Sequence, residues 1–203
     1  MATPIWYYSA KRLKETLKEQ NVPLLAVAAS FSFVIMMFNV PLPGGTTGHA
    51  TGAGLIAILL GPWASIIAVS IALVIQALLF GDGGITAIGA NCFNMAIAES
   101  FCAYAVYKLL SKGGRWRIAS AAIGSYIGIN LAAFLTALEL GIQPFLHTAP
   151  DGRHLYCPFP LSITIPAIMI EHIMIFGVVE ALITAIALKF IMKAYPELMT
   201  EAK

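Results

Sequence analysis

Asn39-Val-Pro-Leu-Pro-Gly-Gly-Thr-Thr-Gly-His49-Ala-Thr51-Gly52 is a polar, glycine-rich island set between two long apolar runs. The reading of this stretch decides the fold. If the flanking runs cross a bilayer, the island is a connector at the membrane, and irregular backbone there survives only where protein or trapped water satisfies its polar groups. That condition turns a connector into a candidate site.

Composition supports the membrane reading. The 203 residues are 59% hydrophobic and 11% charged, with a mean hydropathy of +0.84, against roughly 45–50% apolar and about 25% charged in soluble domains. A hydrocarbon core about 30 Å thick takes roughly 20 helical residues per crossing. Working outward from the island, the apolar runs are 22–41, 52–61, 63–80, 85–110, 117–140 and 162–192. The expected fold is therefore all-α: a polytopic transmembrane bundle of about six helices in one domain, residues 1–203.

Charge placement sets the expected topology. Lys11, Arg12, Lys14 and Lys18 precede the first run, and Lys108, Lys112, Arg115 and Arg117 cluster between the fourth and fifth. By the positive-inside rule both groups are cytoplasmic, as are Lys189, Lys193 and the C-terminus. The island, Asp82 and the 141–160 loop then lie outside. For both His49 and Gly81 to be outside, 52–80 must cross twice, turning at Gly61-Pro62-Trp63. The first limb of that pair rises only some 16 Å at 1.5 Å per residue, so it borrows residues, sits where the protein is thin, or re-enters.

The net charge of +2 gives no reason to expect a nucleic-acid partner, and three cysteines define no disulfide framework. The sequence contains no nucleophile elbow, no phosphate loop and no paired carboxylates at helical spacing within an apolar run, so it is not read as an enzyme and is expected to have no cofactor of its own. His49 is the candidate metal ligand, since neutral imidazole binds late first-row divalent ions and its small neighbours let the backbone come close. Around it, Thr46, Thr47, Asn91 and Asn94 are candidate supporting groups. Asn91 and Asn94 are three apart and would share a helix face, although membrane asparagines commonly bond between helices instead. Asp82 either caps the next helix or serves the site. His147 and His154 are read as solvated loop residues. Glu171, His172 and Glu180 fall inside the last apolar run, where ionisable groups mark either a substrate path or a subunit contact. Ala26, Ala28, Ala29 and Ser30 would allow close helix packing.

Four stretches together resemble the CbiM/NikM family, the substrate-capture subunits of energy-coupling-factor importers for cobalt or nickel. These are the 39–52 island, Leu60-Gly-Pro-Trp63, Gln76-Ala-Leu-Leu-Phe-Gly-Asp-Gly-Gly-Ile-Thr-Ala-Ile-Gly-Ala-Asn91, and Leu155-Tyr-Cys-Pro-Phe-Pro-Leu-Ser162. The resemblance runs from Thr3 onward and is nearest the short cobalt form. It implies capture of Co2+ for cobalamin synthesis, with Ni2+ second. It also implies a CbiQ-like transmembrane coupling subunit, CbiO-like ATPase subunits and a small CbiN-like membrane subunit. The family's metal is held by the terminal amine, the backbone nitrogen and imidazole of a second-position histidine, and the histidine of the Gly-rich loop, which matches His49. This chain begins Met1-Ala2, so the resemblance assigns it one of those ligating residues. It also makes 1–21 the remnant of a first helix followed by a basic segment, and leads to an expectation of weak metal binding by the chain alone. A vitamin-type capture subunit and a structural membrane subunit are the competing classes.

Overall fold

The computed structural model describes residues 2–16, 22–42, 46–111 and 116–195. Lys18, Lys112, Arg115, Gly44 and Gly45 lie outside the described residues, and so does the side chain of Thr46. Every expected apolar run is helical over most of its length. Helix α1 is Ala2–Thr16 and α2 Val22–Met36, followed by strands β1, Val40–Leu42, and β2, Thr46–Gly48. Helices α3, Ala53–Leu60, and α4, Pro62–Ile75, come next, and α4 runs on through a π-helical stretch, Gln76–Phe80. A 3-10 turn, Ile85–Ala87, then leads into α5, Ile88–Asn91, a second π stretch, Cys92–Ala98, and α6, Glu99–Leu110. Helix α7 is Arg117–Gly141 and α8 Gln143–Leu146; α9, Leu161–Glu171, a third π stretch, His172–Phe176, and α10, Gly177–Ala194, form the last rod.

Among the described residues, Pro62–Phe80, Arg117–Leu146 and Leu161–Ala194 are long and apolar enough to cross a membrane. The last of these leaves Ile170, Met174, Leu182, Ile186 and Phe190 more than half exposed, an apolar flank that suits lipid. Helix α7 lies among α6, α9 and α10. Its approach to α6 depends on small residues: a Cβ added at Gly124 would meet the Ala103 carbonyl oxygen at 2.6 Å, and one at Gly128 the Glu99 carbonyl oxygen at 3.0 Å. This is the small-residue packing of membrane helices. On α2 only Ala28 and Ala29 of the expected small residues are buried; Ala26 and Ser30 face outward. Helix α1 packs along α4, where Trp6 Nε1 donates to Ser70 Oγ at 2.9 Å. An aromatic ladder of Tyr8, Trp63 and Phe101 follows, with ring centroids 5.0 and 4.9 Å apart.

Two features differ from the expected layout. The island is partly ordered as a hairpin, Val40 opposite Gly48 and Leu42 opposite Thr46, because pairing within the connector satisfies backbone groups that the membrane cannot. The short limb, α3, is a half-helix that begins inside the bundle, with residues 53–58 all buried. Its turn to α4 falls at Gly61, whose φ of 86° favours glycine, followed by Pro62 at the first helical position.

Candidate functional site

The 49–52 segment is fastened to three helices. From α2, Ser32 Oγ donates to the Thr51 carbonyl at 2.8 Å. From α10, Glu180 Oε2 accepts the N–H groups of Thr51 at 2.8 Å and Gly52 at 3.1 Å. The rod of α6 supplies Glu99, whose Oε1 accepts the Thr51 hydroxyl at 2.5 Å, and that hydroxyl in turn accepts the Ala53 N–H at 3.1 Å. Glu180 thus caps the open N-terminus of α3 by accepting the N–H groups at its start. Glu99 and Glu180 are both fully buried, so these bonds form away from water, where leaving a donor or acceptor unpaired is costly.

Beside this anchor lies a cavity of about 440 Å³, lined by His49 and Thr47 from the island, Gln76 from the end of α4, Asp82 and Asn91 from the second polar stretch, and His172 from the last rod. Each of the three π stretches, or the residue next to it, contributes lining: Gln76, Asn91 with Met95, and His172. Such one-residue expansions re-aim side chains and recur at functional sites.

His49 Nδ1 lies 3.1 Å from the Ala50 carbonyl oxygen. A carbonyl only accepts, so Nδ1 carries the proton and Nε2 keeps its lone pair, the arrangement seen in metal-binding histidines. Burial pushes the His49 imidazole below its usual pKa of 6.5, while the Ala50 carbonyl and the Asp82 charge pull more weakly the other way. The ring is held neutral.

The second polar stretch reaches back to the first. Asn39 Nδ2 donates to Asp82 Oδ2 at 3.0 Å, and Asn91 Nδ2 to the Gly83 carbonyl at 3.0 Å. Asp82 therefore ties the two islands together and does not cap the following helix. Asn94 is buried and does not itself line the cavity; its amide donates to Glu139 Oε2 at 2.8 Å and to Thr136 Oγ1 at 3.2 Å, and Thr136 lines the cavity.

His147 and His154 are exposed in the 147–154 loop, His147 edge-on to Tyr156 and His154 bonded to Thr148 Oγ1. Cys92, Cys102 and Cys157 are free thiols. Of the ionisable residues in the last rod, Glu180 serves the loop anchor and His172 faces the cavity. Gln76 was not singled out by sequence reasoning; its place at the end of an apolar run, just before the Gly81-Asp82-Gly83-Gly84 turn, was the available signal.

The family described as the cobalt uptake substrate-specific transmembrane region matches residues 1–198. A fused nickel transport protein, NikMN, of Rhodobacter capsulatus is 50% identical over 200 residues, covering 97% of this chain and 58% of that protein. A probable fused nickel transport protein, LarMN, of Lactiplantibacillus plantarum is 46% identical over 195 residues, covering 95% of this chain and 59% of that one. The chain thus spans under three fifths of these curated relatives. Among solved structures, a transition metal transporter superposes with a TM-score of 0.93 at 46% identity, covering 98% of this chain and 88% of that one.

Proposed function

The chain belongs to the CbiM family of cobalt-uptake transmembrane regions, and from that premise we propose that it captures divalent nickel or cobalt at the His49 cavity for import. The observation that carries this reading is the pairing of a neutral imidazole, its Nε2 free, with a cavity at one end of a helical bundle. Nitrogen donors suit late first-row ions over magnesium and calcium, which take oxygen.

The cavity opens at the end opposite the basic residues. From His172 to Lys189 the last rod rises roughly 25 Å, and from Arg117 to Thr136 α7 rises about as far. With Lys108, Arg117, Lys189 and Lys193 on the cytoplasmic side, the cavity faces outward and the C-terminus inward. The capture subunit then works with a coupling membrane subunit, two ATPase subunits and a small membrane subunit, as the resemblance implies.

Sequence reading ranked cobalt before nickel. The nickel names of the two fused relatives, at 50% and 46% identity, move the weight toward nickel, with cobalt and its link to cobalamin synthesis as the alternative. Cells that depend on this importer, carrying His49→Ala, should lose nickel and cobalt accumulation to the background of a transporter-free strain. Accumulation that persists would overturn the proposal in favour of a structural role.

A further inference from the structure

His172 stands in the same cavity as His49, although the two are brought there from opposite ends of the chain. Its Nδ1 lies 2.9 Å from the Ile168 carbonyl oxygen. As at His49, a carbonyl accepts only, so Nδ1 is the N–H and Nε2 is a bare lone pair. Both imidazoles are therefore oriented by a main-chain acceptor on the far side of the ring, which is how protein-bound metals are usually served.

Phe176 links the two. Its ring centroid is 5.3 Å from that of His172, and the same ring lies against Gly48, where an added Cβ would come within 2.0 Å of a ring carbon. Residue 48 immediately precedes His49. The π stretch His172–Phe176 thus sets one imidazole and, through one aromatic ring, the backbone that carries the other. Gln76 lines the same cavity.

We propose that His172 is a metal ligand, and that its Nε2 and that of His49 together bind one late first-row divalent ion in this cavity. The inference rests on the capture reading above and deepens it. Two neutral imidazoles favour nickel, cobalt, copper or zinc over hard cations, and the ion then spans the island and the last rod, so that loading fastens the one to the other.

The test is nickel binding by the purified chain in detergent, in a His147→Gln/His154→Gln background and with a purification tag free of histidine, followed by calorimetry and nickel K-edge absorption spectroscopy. The parent should show outer-shell scattering from two imidazoles. His172→Asn keeps a side-chain N–H near the Nδ1 position but removes Nε2; it should show one imidazole and bind nickel about tenfold or more weakly, a loss of about 1.4 kcal/mol. His49→Asn should do the same. One imidazole in the parent overturns the proposal, as does His172→Asn binding like the parent, while either result leaves His49 as a ligand. Should His172→Asn fail to fold, the imidazole count of the parent decides alone. A parent that binds neither nickel nor cobalt overturns this proposal together with the capture reading.

Discussion

The Thr51 N–H donates to Glu180 Oε2 at 2.8 Å, joining residues 129 positions apart. This bond places the start of a half-helix, and the histidine just before it, at the level of the first turn of α10. Sequence, fold and site meet there: a Gly-rich connector enters the bundle because buried Glu180 receives its backbone N–H groups and buried Glu99 the Thr51 hydroxyl.

Glu180→Ala should therefore be among the most damaging changes outside the cavity. It strands two buried N–H groups, each costing roughly 1–3 kcal/mol when left unsatisfied. Thermal unfolding in detergent should show a large loss of stability, with metal affinity falling as the loop loosens. Glu180→Gln keeps an acceptor oxygen and should cost markedly less.

Thr51→Val preserves shape but removes the hydroxyl that donates to Glu99 and accepts from Ala53. A loss of about 1–3 kcal/mol is expected from the unpartnered groups left behind, read as a lower melting temperature. An unchanged melting temperature would mean that water replaces the hydroxyl.

Gly48→Ala places a methyl group into the Phe176 ring. The strand and His49 must shift, so metal binding should fall while the helical content measured by circular dichroism stays constant. Phe176→Leu in the same chain frees space and should restore part of the binding, a coupling that a double-mutant cycle measures.

The pH dependence follows from the lowered pKa of His49. Metal needs the neutral ring, and burial holds that ring neutral below the usual 6.5. Competition by protons begins only as pH falls through the lowered value. Nickel affinity should thus stay level as pH falls from neutral to 6.5 and drop only below it. A midpoint at or above 6.5 in a titration series would show the ring to be solvated.

Much of the fold was legible in the sequence because apolar runs and basic clusters are coarse signals. The Gly61-Pro62 turn, the helical runs and the special character of the 39–52 island all follow from local chemistry. What could not be read was the depth of the island, since the ties from Thr51 to Ser32, Glu99 and Glu180 are long-range pairings. Asn94 shows the same limit: its partners on α7, Thr136 and Glu139, lie more than forty positions along the chain. Gln76 and His172 needed the π expansions of the helix to be known before their facing could be assigned. His49 was found because its surroundings were out of place in a membrane protein, which is a physical signal and a local one.

The most direct test of the central claim is a crystal of the chain soaked in nickel, with data collected on either side of the nickel absorption edge. The account predicts an anomalous peak inside the cavity, bonded to His49 Nε2 while Nδ1 stays on the Ala50 carbonyl. A cavity without a peak at full nickel occupancy elsewhere, or an ion that His49 does not touch, would contradict it.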